Sequence, residues 1–344
     1  MQRWYEQQSK DSDVILSSRI RLARNIKGKL FPERMKPEEA KQVVESVLAL
    51  APELEVKENK KFYPCQISAM RELDKNAMVE TQMISPFLAQ KDGNTGFIVS
   101  EDESISIMVN EEDHLHIQTV YPGMDMSKAL EEAMKVDDYF SDRFGYAFDD
   151  RYGYLTSCPT NVGTGLRASY IMFLPALSMG GKMEKLSEEI SKYGAQIRGI
   201  YGDNSKNYGH MFIISNKTSL GRSEVEIIDN LDQIVTQAMN QERKRREYIL
   251  TVNSDEIEDK VYRSYGVLKY AKKVSTSDAM LMLSQLKFGN DANVIQFKEE
   301  CNILQLMMEI TPANFQKIIG KTINRTERDR YRAEYLNQKL PELK

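Results

Sequence analysis

The sequence predicts an α+β fold, an antiparallel sheet flanked by helices, followed by an all-helical C-terminal domain. Three observations carry this. Between about Gly96 and Gly123 three strand-like runs follow in close order: GFIVS, then SISIMVN with Ile105, Ile107 and Val109 alternating, then HLHIQTVYPG. Longer helical segments, around 36–50 and 127–142, separate the strand groups and are expected to cover one face of the sheet. Beyond roughly residue 250 almost everything is helical in pattern.

Along the chain, RYGYLTS, AQIRGIY and HMFIISN read as further short strands, the last two joined by a polar stretch from Gly202 to Gly209. Ser223 and Glu226 stand in capping-box positions, and Val225, Ile227, Ile228, Leu231, Ile234, Val235, Ala238 and Met239 then recur at helical spacing. That helix ends in QERKRREY, a basic run that reads as a solvated helix face rather than a nucleic-acid patch. Thr311-Pro312 opens a later helix and Gly320 closes it. The Met-rich apolar faces around 279–288 and 303–309 suit core or dimer filling better than a cofactor box. The expected division is a catalytic domain over 1–250 and a helical domain over 251–344.

Composition narrows the classes of function. A chain of 344 residues has room for about two domains. With 47 Lys+Arg against 51 Asp+Glu the net charge is −4, which disfavours wholesale binding to nucleic acid or anionic membrane and requires any anion site to be built locally. Cys65, Cys158 and Cys301 are far apart and odd in number, which argues against a disulfide framework or structural zinc and for a reducing cytosol. The N-terminus lacks a basic n-region and an apolar core, and no apolar run approaches a membrane span, so a soluble cytoplasmic protein is expected.

Five stretches could carry chemistry. In SSRIRLAR, Ser18 precedes Arg19 and Arg21, which share a face if the segment is a strand; two guanidiniums can then converge on a polyanion, although such a pair is more often a salt-bridged sheet edge. In VNEEDHLH, Glu111, Glu112 and Asp113 sit at a turn, either solvated or held to meet a cation, with no metal-ligand spacing beside them. YLTSCPTNVGTGLRAS leads into a Gly-rich loop carrying Cys158, Asn161, Gly163, Gly165, Arg167 and Ser169, where the glycines would let backbone amides approach phosphate. GTGLRA loosely fits a dinucleotide fingerprint, but the acidic residue that should end a second parallel strand falls in a helical pattern, and no GxxxxGK[ST] occurs. Cys158 has no histidine near it in a familiar nucleophile arrangement. QIRGIYGDNS places Arg198 before a Gly-bracketed turn ending at Asp203, and IISNKTSLGRSE follows as strand, turn and helix start.

These stretches, in this order, resemble the ATP:guanidino phosphotransferase (phosphagen kinase) family over roughly residues 12–245, and TSCPTNVGTGLRAS is close to the family signature. The resemblance implies a phosphagen-kinase/glutamine-synthetase-like catalytic domain. The family's small-molecule enzymes carry a further helical N-terminal domain that closes over the substrate, whereas SSRIR begins 17 residues into this chain. With the helical C-terminal region, this is similar to the bacterial protein-arginine kinases of the McsB type. Arg328, Asp329, Arg332 and Ala333 match the motif with which that group binds phosphoarginine allosterically; without the resemblance they read as a salt-bridged surface helix.

By position, Glu112 resembles the family's catalytic glutamate and Asp203 its second carboxylate, while Arg19, Arg21, Arg167 and Arg198 match the arginines that hold the ATP phosphates. ATP and Mg2+ are implied as phosphoryl donor and its bridging metal, and Cys158 matches a reactive cysteine near the substrate guanidinium. The nucleotide loop is expected to involve Ser18, Asn161, Gly163, Gly165, Ser169 and, in VETQMIS, Gln82. Three positions depart from the family: His116 stands where another phosphate-binding arginine is usual, Asp203 is a methylene shorter than the common glutamate, and Gln82 replaces a nucleotide-contacting histidine. The departures raise a phosphoarginine-reading adaptor as an alternative, and a kinase of free arginine as another. Implied partners are protein substrates with exposed arginines (a stress-gene repressor, damaged proteins), a zinc-binding activator protein, the Clp protease machinery and a second copy in a homodimer.

Overall fold

The computed structural model describes residues 2–200 and 207–344. Its strands are β1 (Ile15–Arg24), β2 (Phe62–Gln66), β3 (Gly96–Ser100), β4 (Ile105–Val109), β5 (Leu115–Pro122), β6 (Phe148–Asp149), β7 (Gly153–Tyr154), β8 (Leu166–Phe173), β9 (Ala195–Gly199) and β10 (Met211–Asn216). Eight of them form one sheet in the order β2-β3-β4-β5-β1-β8-β10-β9, antiparallel at every pairing, and β6 and β7 make a separate short pair. The helices are α1 (Pro37–Leu48), α2 (Ala51–Glu58), α3 (Glu72–Glu80), α4 (Pro86–Gln90), α5 (Met126–Phe144), α6 (Pro175–Met179), α7 (Met183–Lys192), α8 (Glu224–Val252), α9 (Ser254–Tyr270), α10 (Thr276–Asp291), α11 (Ile303–Glu309), α12 (Pro312–Ile318) and α13 (Arg325–Lys339).

Alternation along the strands gives the sheet two different faces. Ile20 and Leu22 on β1, Leu115 and Ile117 on β5, and Leu166, Ala168 and Tyr170 on β8 are buried in one core with the inner stripe of α5 (Ala129, Ala133, Val136, Phe140) and that of α8 (Ile227, Leu231, Ile234, Val235, Ala238). The capping box starts α8 as expected: Ser223 Oγ accepts from Glu226 N, and the Glu226 carboxylate accepts from Ser223 N.

The second face divides. Leu16, Ile171, Phe173, Met211 and Ile213 join Leu283, Leu286, Phe288, Met307 and Met308 of α10 and α11 in a second core. The expected helices, α1 and α5, cover the first face, and the C-terminal helices in addition bury part of the other, where the methionines of α10 and α11 fill the core. Toward β3 and β4 the same face is apolar, with Phe97 and Met108 packed among Met83 and Leu88, and between the two apolar parts Arg19, Arg21 and Arg167 form a polar strip that holds the candidate site.

Other expectations change for physical reasons. Of RYGYLTS only Gly153–Tyr154 is strand; beyond it Asn25 Nδ2 donates to Leu155 O (3.0 Å) and Asp113 Oδ1 accepts from Ser157 N (2.6 Å), which bends the chain into a loop. β2 and β8 lay outside the sequence reading. The basic run at the end of α8 is a clasp rather than a solvated face. Arg243 Nη2 lies 2.6 Å from Asp13 and 2.9 Å from Asp11, Arg246 Nη2 donates to Asp13 O at 3.0 Å, and Lys287 of α10 donates to Ser12 O at 2.9 Å. Arg24 points away from Arg19 and Arg21. It is fully buried, pairs with Asp137 of α5 at 2.8 Å, donates to Ala23 O and Thr164 O, and lies over the Tyr154 ring at 3.6 Å. Asp137→Ala would strand a buried guanidinium, so the variant is expected to lose about 3–5 kcal/mol of stability, read as a lowered unfolding midpoint.

Candidate active site

The polar part of the second face is organised by strand register. Arg21 lies opposite Gln118 of β5 on one side and Arg167 of β8 on the other, while Arg19 lies opposite Val120 and Ser169. Ser169 in turn pairs with Ser215 of β10, and Arg198 of β9 pairs with Ile213. Arg19 Nε donates to Ser169 Oγ at 3.2 Å, and its Nη1 to Gln82 Oε1 at 3.4 Å. Among the described residues no carboxylate lies within ion-pair distance of Arg19, Arg21 or Arg167. Burial, together with Arg21, Arg198 and Arg167, pushes Arg19 down to about 9. Burial and the neighbouring Arg21 and Arg198 push Arg167 down to about 10, against an opposing pull from Cys158 and Glu112. Cations crowded in this way favour an anion beside them, and a triphosphate supplies several negative charges in a row.

The turn after β4 holds the acids, and they are not equivalent. Glu111 and Asp113 are buried and Glu112 is partly exposed. Glu111 lies 2.6 Å from His116 Nδ1 and also accepts from Ser85 Oγ; Asp113 lies 3.2 Å from His116 Nε2 and accepts from Asn25 Nδ2 (2.6 Å). Despite complete burial, the two carboxylates push His116 up to about 9. The same contacts hold Glu111 and Asp113 below the usual carboxylate range against a burial effect in the other direction. Ligand atoms of Glu111, Glu112 and His116 come within 4.8 Å of one another, a spacing open to a divalent cation only if His116 gives up its proton. Two flanking carboxylates hold that proton, so the cluster is an ion triad.

Several expected site residues lie elsewhere or act differently. Ser18 is buried toward the helical face, donating to Gly123 O (2.6 Å) and accepting from Asp125 N (2.8 Å), so it does not belong to a nucleotide loop. Gly163 at φ +114° is wedged between strands: an added Cβ would meet Ser219 O at 2.7 Å and Leu220 Cα at 2.8 Å. Gly165 at φ +68° abuts the Arg24 guanidinium and Ala23 O. Both glycines serve backbone approach rather than a phosphate cradle. Asn161 is buried beneath that loop, where its carbonyl accepts from Ser219 Oγ at 3.0 Å. Cys158 is partly exposed, 3.0 Å from Thr160 Oγ1 and close enough to Arg167 to act on its charge. Asp203 lies outside the described residues.

Against known proteins, residues 40–245 match the family model "ATP:guanido phosphotransferase, C-terminal catalytic domain", and 254–344 match "Protein-arginine kinase McsB C-terminal domain". The chain is 40% identical over 330 residues to the protein-arginine kinase of Caldanaerobacter subterraneus subsp. tengcongensis, covering 96% of this chain and 98% of that one. It is 39% identical to the protein-arginine kinase of Bacillus subtilis, covering 98% and 93%. The chain belongs to the ATP:guanido phosphotransferase family. Its fold is also that of solved relatives: the duplicated taurocyamine kinase of Schistosoma mansoni (TM-score 0.61, 24% identity, 68% of this chain and 33% of that one) and a lombricine kinase (TM-score 0.57, 23% identity, 69% and 68%). As a member it is an ATP-dependent phosphotransferase.

Family membership did not reveal every contact that positions this site. Gln118 was missed, although its place in the alternating HIQ of β5 aims it at the same face; its Nε2 donates to Gln82 O at 2.8 Å and fixes a turn in which Gln82 has φ +66°. Ser85 and Lys91, which bind Glu111 through its carboxylate and its backbone carbonyl, were missed for want of any motif. In the C-terminal motif, Arg332 does not share an exposed face with Arg328. It is wholly buried, donates to Asp329 (2.7 Å), Val274 O (3.0 Å) and Ile310 O (3.2 Å), and Ala333 is buried beside it. Arg328 and Asp329 instead line a cavity of about 590 Å³ with Glu80, Ser275, Thr311 and Arg325.

Arg19→Ala or Arg167→Ala is expected to weaken Mg-ATP binding by about 10- to 100-fold, as measured by calorimetry, with the wild-type affinity falling more steeply with salt than that of either variant. His116 has a raised folded-state value, so its stabilisation is complete below its ordinary 6.5 and is lost as pH rises through about 9. The depressed Glu111 adds stability above its ordinary 4.5 and loses it as pH falls further. The excess stability of wild type over His116→Gln is therefore expected to peak between these two ordinary values and shrink toward pH 9, a trend readable from unfolding midpoints across pH.

Proposed function

We propose that this enzyme transfers the γ-phosphoryl group of ATP to the guanidinium of arginine side chains in proteins. One observation carries the reading: Glu112, the partly exposed acid of its turn, lies close enough to Arg167 to act on its charge, so a candidate acceptor carboxylate stands beside the arginine row. The relatives named protein-arginine kinase, matched along nearly their whole length, support the acceptor.

The chemistry follows from the charges. A guanidinium stays protonated at neutral pH and is a poor nucleophile, so it must be oriented and relieved of a proton as the N–P bond forms and the bond from phosphorus to the ADP oxygen breaks. Glu112 grips two guanidinium nitrogens and takes that proton. Arg19, Arg21, Arg167 and Arg198 hold the phosphate chain in line and offset charge on the transferring group. Mg2+ would arrive with the nucleotide and would supply positive charge that lowers the repulsion among its phosphates. Asp203 is assigned the second grip on the acceptor.

The wider setting rests on the resemblance. We assign the enzyme to the cytoplasm and to stress response and protein quality control, as a homodimer acting on a stress-gene repressor and on damaged proteins destined for the Clp protease machinery, with a zinc-binding activator. The cavity of Arg325, Arg328 and Asp329 is assigned to allosteric phosphoarginine: a phosphoryl group beside the arginines and a guanidinium beside Asp329, with Arg332 holding Asp329 from behind.

Purified protein with Mg-ATP and an arginine-rich protein is expected to yield acid-labile phosphoarginine by mass spectrometry. Glu112→Gln should lower turnover by about 10²–10⁴-fold while Mg-ADP affinity changes little. Label on free arginine alone would favour a small-molecule kinase, and no label with an activator present would leave a phosphoarginine-reading adaptor.

A further inference from the structure

We propose that His116 is a positioning residue for the acceptor side of the site and not a ligand of the phosphates. The inference rests on the phosphotransferase reading above and assigns a separate role to one residue of it.

The geometry restricts what this imidazole can do. The side chain is 1% exposed, and its two nitrogens lie 2.6 Å from Glu111 and 3.2 Å from Asp113. A guanidinium has five N–H donors and could satisfy both carboxylates with donors left for an anion, whereas imidazolium has two, and each of its nitrogens already faces a carboxylate. The same strand carries Gln118 and faces Arg21 two residues further on, so the open row begins where His116 ends.

What His116 holds is a junction of three segments. Through Glu111 it reaches Ser85, just past the Gln82 turn. Through Asp113 it reaches Asn25 and the backbone N–H of Ser157, next to Cys158. Ser157 Oγ donates in turn to the carbonyl of Glu112 at 2.8 Å. Without the cation, Glu111 and Asp113 would face each other as buried like charges, and the turn presenting Glu112 and the loop presenting Cys158 would lose their common anchor.

The test compares His116→Gln with wild type in three measurements: Mg-ADP affinity, steady-state kinetics with a protein acceptor, and the alkylation rate of Cys158 resolved by peptide mass spectrometry. The expected pattern is Mg-ADP affinity and KM for ATP within about threefold, kcat down by about tenfold or more, and Cys158 alkylated at least about fivefold faster. Asp113→Asn, which leaves His116 in place, should give the same pattern and serves as the reading if His116→Gln does not fold. Mg-ADP affinity reduced by about tenfold or more with an unchanged Cys158 rate would overturn the proposal and make His116 a phosphate ligand. Lack of transfer by the wild type would defeat the kinase reading, yet binding and alkylation would still decide this one.

Discussion

Like charges crowded on one face of a sheet are the constraint on which the rest of this structure depends. Register sets Arg21 directly opposite Arg167 across the ladder, and Arg19 one pleat along opposite Ser169. Charges directly opposite one another destabilise a strand pair. They persist because β1 and β8 are held elsewhere by burial: Ile20, Leu22, Leu166 and Ala168 are within 1% of full burial on the reverse face. A strand slip of one residue would turn the arginines into the apolar core, so the hydrophobic pattern also fixes where the cations must point.

The acids are arranged so that they do not quench the row. Glu111 and Asp113 are buried against His116, whose proton they hold, and Glu112 alone is left partly exposed. Without that local neutralisation, carboxylates close to Arg21 would pair with it, and a site paired internally has little affinity left for phosphate. A net charge of −4 is compatible with anion binding on these terms, because the local arrangement decides and the total does not.

Much of this was legible in the sequence, and the failures share a cause. Alternation identified β3, β4, β5, β9 and β10, and a capping box located the start of α8, because local patterns encode such elements. The same-face placement of Arg19 and Arg21 followed from a period of two. Partners distant in the chain could not be read. Ser18 looks like part of the SSRIR motif but bonds to Gly123 and Asp125, the arginines of QERKRREY reach Asp11 and Asp13, and Arg332 is buried against Val274 and Ile310. Gly163 and Gly165 carry a phosphate-loop appearance, yet their φ values answer to neighbouring backbone, which a single stretch of letters does not contain.

The second core ties the C-terminal helices to the site. Glu80, the last residue of α3, accepts from Ala313 N (2.9 Å) and Asn314 N (2.8 Å) at the start of α12, and two residues later Gln82 touches Arg19. Burial pushes the Glu80 carboxyl up, while those two N–H groups and Arg328 pull it back. A short, stiff connection therefore runs from the helix cap through the left-handed Gln82 to the arginine row, with Gln118 bracing the turn at 2.8 Å. Because Phe173 and Ile213 on the sheet share their core with Phe288 and Met307 on α10 and α11, the helices cannot shift as a body without disturbing strands that carry the arginines. The helical region is thus part of what holds the arginine-bearing face in shape.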